Sequence, residues 1–484
     1  MTRRALLRLG LPVVLALLLA VTGAGLTFLL ASAAPARGFA VHTPTHLAPH
    51  IAKVRPAVFR VNHNPTGHTI RGPALRGLAA PSQTTGPIVA TFETPSPSSP
   101  CQTFPSEAQA AVQAAVDVWN VQIQSSVQID VQLCWLSMAP GILGSGGPTE
   151  VASDFPHAPR SSTYYPLALA NALAGTDLDS NVPEISGQFN LNEPWYLGTD
   201  GNTPVGQFDF ETDVLHELGH GLGFLGSGEG LNCNGTDTGK GYVGFDPNGC
   251  NGAADSTPLI WDRNVVDAGG TDILTYANGS TALGSVYRSG TGLQWRGSNG
   301  VLAAGGVRPT LYAPSSWLEN SSYSHLDEST YPAGSANALM TPVLLDGESI
   351  HAPGPIMLGM MQDMGWSLPC TSPSGSISTL FHALPTSRAY AGGTVIEASD
   401  VTDMPMLGRG GLPSTGVDAV VVNVEVFRPT ANGYISVTPG CTSSQTASQE
   451  FTAGTTISNQ VTVRLDAAGR LRLRLSAGPG NGVR

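Results

Sequence analysis

The segment Leu215–Gly226, LHELGHGLGFLG, constrains this chain more than any other. His216 and His220 stand four residues apart, with Glu217 beside the first. On a helix that spacing puts both imidazoles on one face, one turn apart, where they can share one zinc ion at about 2.0–2.1 Å. The flanking residues favour a helix. Asp209 or Thr212 can cap its start, and Phe210, Val214, Leu215, Leu218 and Leu222 supply apolar contacts. Gly223 can end it, because glycine accepts the left-handed conformation of a C′ position. Glu217 projects beside the metal, where a carboxylate can take a proton from a water and later deliver it to a leaving amine. The plainer alternative, a helix whose histidines are surface or core residues, leaves the flanking pattern and Gly223 without a reason.

A catalytic zinc takes three protein ligands and keeps one open position. Gly226, three residues past Gly223, has no side chain to offer. The downstream histidines are His325, His351 and His382. His325 stands in SYSHLDESTYPAGSANALMTPVLLDG, with Asp327 as the nearest competing ligand. A glutamate as third ligand, as in other H-E-x-x-H hydrolases, is a further alternative.

His216, Glu217, His220 and Gly223 resemble the H-E-x-x-H-x-x-G core of the metzincin proteases, and Gly226 departs from their short-spacer third ligand. The stretch SH…NALMTP is similar to the leishmanolysin-type members, which carry a long insertion before the third histidine and a methionine turn soon after it. PIMLGMMQDMGW (355–366) resembles their closing helix. The resemblance runs over roughly residues 86–368. It implies His216, His220 and His325 as ligands of one catalytic Zn2+ and Glu217 as base and then acid. It also implies Met340 as the turn methionine, packed beneath the metal without binding it. The implied fold class is an α+β metzincin-like catalytic domain with a twisted sheet, a long helix, a zinc helix and a Met turn.

Four regions are expected along the chain. Arg3, Arg4 and Arg8 precede an apolar run, Leu9 to Leu30, and the A-x-A site Ala31-Ser32-Ala33, so residues 1–33 read as a secretory signal peptide. The run is long enough that an uncleaved anchor is the alternative. Residues 34–85 are rich in Pro, Gly, Thr and His with little apolar periodicity, and read as a linker or pro-segment. Residues 86–369 form the zinc domain. GPIVATFE (86–93) and SVQIDVQLCWL (126–136) are expected strands. SEAQAAVQAAVDVWNVQIQS (106–125) is a helix with Ser106 as its N-cap. NVPEISGQFN holds one more strand, and a substrate peptide could pair along an edge such as 184–190. Residues 370–484 turn to alternating apolar runs (DAVVVNVEVF, GYISVTP, ISNQVTVRL, GRLRLRLS), an all-β sandwich-like domain. That pattern resembles a β-domain of secreted bacterial proteins.

Only 12% of residues are charged, so the surface must be solvated largely by Ser, Thr, Asn and backbone, as extracellular proteins often are. The formal charge of −12 argues against nucleic acid or anionic membrane as a partner. Six cysteines without a C-x-x-C pair fit an oxidising compartment and three disulfides. Pairing of neighbours is the simplest connectivity: Cys101 with Cys134, Cys233 with Cys250, and Cys370 with Cys441. The last pair is also implied by the C-terminal resemblance. Calcium is a further candidate ion for the Gly-, Asn- and Asp-rich stretch 227–256, although its acids lack loop-motif spacing. The expected function is a secreted zinc endopeptidase, monomeric, acting on protein or peptide. Its C-terminal domain would serve as a cell-surface or carbohydrate tether, or as a spacer. The alternative is a surface adhesion protein with a structural or inactive zinc site.

Overall fold

The computed structural model describes residues 50–53, 57–62, 64–74, 86–245, 257–368, 396–397, 401–407, 409, 411–412, 417, 419–440, 448–466, 469–477 and 482–483. The expected signal peptide and Cys250, Cys370, His382 and Cys441 lie outside them. The chain is mixed α/β, with several sheets and few helices. No helix of the described residues is long and apolar enough to cross a membrane.

The stretch read as a linker contributes three strands: His50–Lys53 (β1), Ala57–Asn62 (β2) and Ile70–Ala74 (β3). The expected strand at 86–93 is Ile88–Phe92 (β4), and helix α1 spans Ser106–Asn120. Ser106 is not the N-cap of α1. That position belongs to extended Pro105, while the Ser106 hydroxyl donates to Glu107. Ile129–Leu136 (β5) alternates buried and exposed residues along its first half, as its sequence predicts. Ile142–Pro148 (β6), Glu150–Ser153 (β7), Tyr164–Pro166 (β8) and the short helix Leu167–Ala174 (α2) precede Ile185–Asn190 (β9). Helix α3, Phe210–Gly221, carries the histidine pair. Two six-residue helices follow, Thr281–Val286 (α4) and Ser298–Ala303 (α5). Val343–Leu345 (β10), Glu348–His351 (β11) and helix Pro355–Met364 (α6) then close this part of the chain.

The main sheet has six strands in the order β10-β2-β6-β9-β5-β4. β4, β5 and β9 are parallel, with α1 as the crossover between the first two. β6 runs antiparallel to β9, β2 antiparallel to β6, and β10 parallel to β2. The strand at 184–190, expected at an edge, is interior: β9 is hydrogen-bonded on both sides, so no peptide can pair there.

Helix α3 lies against β6, and the sequence explains how it comes so close. Gly144 and Gly146 are two apart on one strand face. A Cβ at Gly144 would stand 2.7 Å from an Asp213 oxygen, and one at Gly146 would stand 2.7 Å from the Glu217 Cβ. Asp213 and Glu217 are four apart on α3, so two glycines receive two acids. Trp119 of α1 donates from its indole nitrogen to Leu215 O at 3.0 Å, tying the two helices together. Around them Phe104, Trp135, Phe189 and Phe210 pack mostly tilted or edge-to-face in the central core.

The expected C-terminal strands are present at Ala419–Val426, Gly433–Pro439, Ile457–Arg464 and Arg470–Ala477, joined by Val401–Pro405 and Gln449–Phe451. They form a four-stranded sheet, 401–405, 470–477, 433–439 and 449–451, and a separate pair of 419–426 with 457–464. Val420, Val437, Val463 and Leu471 share one apolar cluster with Leu302 of α5. Asp403 receives Arg472 on both oxygens, at 2.6 and 2.7 Å, and Gln362 of α6 at 2.8 Å.

Candidate metal centre

Asp209 caps α3, accepting the Thr212 amide at 2.8 Å, and Glu211 and Asp213 place acids in its positive first turn. The helix ends as Gly223 predicts. Gly223 has φ +116, its amide donates to His220 O, and the Phe224 amide reaches back to Gly219 O. This paired return is the Schellman arrangement. It also aims the Phe224 carbonyl at the helix, where it meets His220 Nδ1 at 2.6 Å.

His325 arrives from a loop 105 residues beyond His220, and its Nε2 lies 3.2 Å from that of His220 and 3.3 Å from that of His216. The His216–His220 separation is 2.9 Å. Tetrahedral zinc with nitrogens at about 2.0–2.1 Å requires roughly 3.3 Å between them, so two edges match and the third is slightly tight. Each Nδ1 meets a backbone carbonyl: Leu339 O at 2.6 Å for His216, Phe224 O for His220, and Ser321 O at 2.7 Å for His325. Those contacts fix the tautomers, with hydrogen on Nδ1 and a lone pair on Nε2. Three lone pairs therefore converge in a fully buried place with no donor among them. Burial holds the His216 and His325 pKa values well below the usual range, helped by the neighbouring imidazoles, and takes His220 down to about 4. Neutral converging imidazoles are what a divalent cation needs, and the donor set fits zinc.

Gly226 explains why the third imidazole of the cluster comes from so far away. A Cβ there would lie 2.1 Å from Tyr323 and 2.4 Å from Trp261. The glycine is the seat of the two rings, and its amide donates to Ser324 Oγ at 3.1 Å, next to His325. Tyr323 sits at φ 76, an uncommon conformation for a bulky residue, and its hydroxyl is anchored on Asp262 at 2.9 Å. Asp262 is fully buried and also accepts from the Ser227 amide and hydroxyl and the Leu259 amide. The segment 257–276, with Leu259, Ile260, Trp261, Val265 and Val266 in the core, thus packs under the loop that presents His325.

Met340 is fully buried in the short 3-10 turn Ala338–Met340, and a Cβ on Gly219 would stand 3.0 Å from its sulfur. The turn thereby lies against the middle of α3, and its Leu339 carbonyl is the one that orients His216. Trp366, just past α6, donates to Leu222 O at the end of α3 at 2.8 Å.

Glu217 is buried beside the triad, and neither of its oxygens has a well-aligned hydrogen-bond partner. Burial, and then the charge of Asp213, push its carboxyl well above the usual range, partly offset by the backbone of Gly146 and Phe59. Asp213 is buried without aligned partners as well, and burial and Asp209 raise its pKa.

The competing candidates are engaged elsewhere. Asp327 Oδ2 accepts from Ser329, Thr330 Oγ1 and the Thr330 amide, and His351 contacts Asp209 at 2.8 Å and Glu211 at 3.5 Å. Cys101 and Cys134 are bonded, and Cys233 is disulfide-bonded too. Within the described part of 227–256 no group of three metal-ligating side chains comes together.

Sequence reading missed Phe59. Its ring stacks on His216 with centroids 3.7 Å apart and planes 9° from parallel. The run AVFRV is a strand signal that the surrounding Pro, Gly and His obscured. The glycines of GSGGP were the available sign of a close backbone approach. Searches against protein-family models, curated proteins and solved structures found no match to this chain.

Proposed function

We propose that this protein is a secreted zinc endopeptidase of metzincin-like design, with residues 86–369 as its catalytic domain. One observation carries the reading. Three buried imidazoles, each oriented by a backbone carbonyl, converge their Nε2 atoms within 2.9–3.3 Å of one another beside a buried glutamate. His216, His220 and His325 would hold the ion. When bound, it would polarise a scissile carbonyl and acidify a water.

Glu217 supplies the proton transfers. Its carboxyl, raised by burial above the ordinary range, would take a proton from the attacking water and return it to the leaving nitrogen. Leu339 O, Phe224 O and Ser321 O hold the imidazole planes, so the triad needs little reorganisation. Met340 packs against α3 at Gly219, which supports its reading as a turn methionine. The C-terminal strands read as a sandwich-like domain for tethering or spacing, and the disulfides fit an extracellular address.

The test uses metal content and turnover together. One zinc per chain is expected by elemental analysis, falling with His325→Ala. Glu217→Ala should keep the zinc and abolish casein hydrolysis. Hydrolysis that survives Glu217→Ala would remove the mechanism, and a wild-type chain that binds no zinc would remove the centre.

A further inference from the structure

We propose that the C-terminal strands buttress the metal centre, with Asp403 as the positioning residue that fixes α5 and α6 against α3. The proposal rests on the metal-binding half of the peptidase reading, and it gives these strands a role that a tether or spacer would not need.

The contacts begin at the histidines' own helix. Gly219 stands between His216 and His220, and a Cβ there would lie 2.6 Å from the Met357 methyl of α6. Past the end of α6, the Trp366 indole donates to Leu222 O at 2.8 Å. α6 therefore touches α3 on both sides of His220 in sequence. Phe224 O, the carbonyl that orients His220, follows closely after Leu222, so a tilt of α6 is passed to an imidazole plane. Packed elements of this kind carry coupling between distant groups.

α6 takes its own position from α5. The two helices approach closely at glycines: a Cβ on Gly359 would stand 2.6 Å from Asn299 O, and one on Gly300 would stand 3.0 Å from Met360. Asp363 of α6 closes the joint with four donors. It accepts the Asn299 amide at 2.8 Å, the Asn299 side chain at 3.0 Å, the Gly300 amide at 2.9 Å and the Trp295 indole at 2.8 Å. Trp295 leads back to the histidines by a second route. It lies edge-on to Trp261, which shares the Gly226 seat with Tyr323, close before His325 in the chain.

Asp403, in the strand Val401–Pro405, holds both helices at once. Its carboxylate accepts Gln362 of α6 at 2.8 Å, and its amide donates to the Asn299 side-chain oxygen at 3.0 Å. Asn299 is thereby bonded on both sides, to Asp403 and to Asp363. Arg472 of the strand Arg470–Ala477 grips both Asp403 oxygens, and the two-point geometry of a guanidinium fixes the plane of the carboxylate. Apolar packing runs alongside. Leu302 of α5 is buried in the cluster of Val420, Val437, Val463 and Leu471, and Arg409 donates to Leu302 O at 2.8 Å. Strands that served only as a tether would need none of these bonds.

The experiment uses the full chain, with Co2+ alone as the metal because its visible bands report ligand geometry. Asp403→Ala is compared with Phe451→Ala, which thins a second apolar cluster of the same strands, Val426, Ile435, Phe451 and Leu475, that includes no residue of α5. In Asp403→Ala, Co2+ affinity read by chelator competition should fall about tenfold or more, with the bands shifted, because a ligand's support is disturbed. In the metal-free chain, hydrogen exchange of the Leu222 and Phe224 amides should quicken by about tenfold or more as the end of α3 opens locally. Asp403→Asn, which keeps an acceptor for Gln362, should recover most of both, and Phe451→Ala should leave both near wild type. Affinity, bands and exchange all unchanged in Asp403→Ala, or equal losses in Phe451→Ala, would overturn the proposal. If Asp403→Ala does not fold, Gln362→Met, which leaves the Asp403–Arg472 pair intact, is read the same way. A wild-type chain that binds no Co2+ while its α3 amides respond as expected would defeat the metal-binding reading alone. Tight Co2+ binding that no variant of Asp403 or Gln362 alters would defeat the buttress alone.

Discussion

Replacing Gly226 by alanine adds one methyl group, and the consequences can be worked out from the two rings it meets. The new Cβ would lie 2.1 Å from Tyr323 Cε1 and 2.4 Å from Trp261 Cδ1, against an ordinary carbon contact of about 3.5–4.0 Å. The tyrosine ring must therefore retreat by roughly 1.4 Å. It has nowhere to go: Tyr323 and Trp261 are fully buried, and Trp261 is wedged edge-on against Phe224 and Trp295 at 4.6 and 4.9 Å. Overpacking of this kind costs about 1–3 kcal/mol. Losing the Tyr323 hydroxyl from Asp262 adds about 1.5–3 kcal/mol, since the acceptor is a buried carboxylate. The sum, about 2.5–6 kcal/mol, should appear as a lowered urea midpoint with chelator present. The strain falls two residues from His325, so zinc affinity should drop about 10–100-fold, as it does when a ligand's support is disturbed. Chelator competition measures that affinity directly. A Gly226→Ala protein within about 0.5 kcal/mol of wild type, with unchanged zinc affinity, would refute the claim that this glycine exists to seat Tyr323.

Three further outcomes are expected. Asp262→Ala strands four donors on Ser227, Leu259 and Tyr323 and should cost at least about 3 kcal/mol in urea denaturation, with Asp262→Asn milder. Burial lowers the His351 pKa, but the Asp209 hydrogen bond and the charges of Asp209, Glu211 and Asp200 outweigh it, so the net shift is upward. A raised folded pKa gives stability that is complete below about pH 6.5 and lost as pH rises through the folded value. Metal-free wild type should therefore weaken above neutrality, whereas His351→Gln should lack that component. Zinc at about 1,000 times its Kd should stabilise the folded chain by about 4 kcal/mol, seen as a melting temperature that falls on chelation, and His325→Ala should remove most of that difference.

The sequence made the helix of His216 and His220 legible because its information is local. Two histidines, a glutamate, a capping Asp209 and a terminating Gly223 all act within one short segment, and each sits where the spacing puts it. His325 was harder, since only elimination among three histidines and a resemblance pointed to it. Its position is set by Tyr323, Trp261 and Asp262, three residues that carry no metal chemistry. The carbonyls of Leu339, Phe224 and Ser321 could not be found at all, because backbone groups carry no side-chain signature. β9 was misplaced at an edge because its alternation says which face is buried and nothing about how many neighbours it has. β2 went unnoticed because five residues of strand pattern lay in a stretch whose composition reads as linker, and only the sheet reveals what they pair with.

The distance along the chain between His220 and His325 has a consequence for how the protein is made. In an unfolded chain, of the three imidazoles only the local pair His216 and His220 stays close together. The third nitrogen joins them only after the segment 257–276 has packed and Tyr323 has reached its place beside Gly226. On the proposed reading, metal capture would be a late event in folding, and a bound ion would report that the region between the two histidines has matured. Metal uptake would then follow the rate of folding in place of the rate of diffusion.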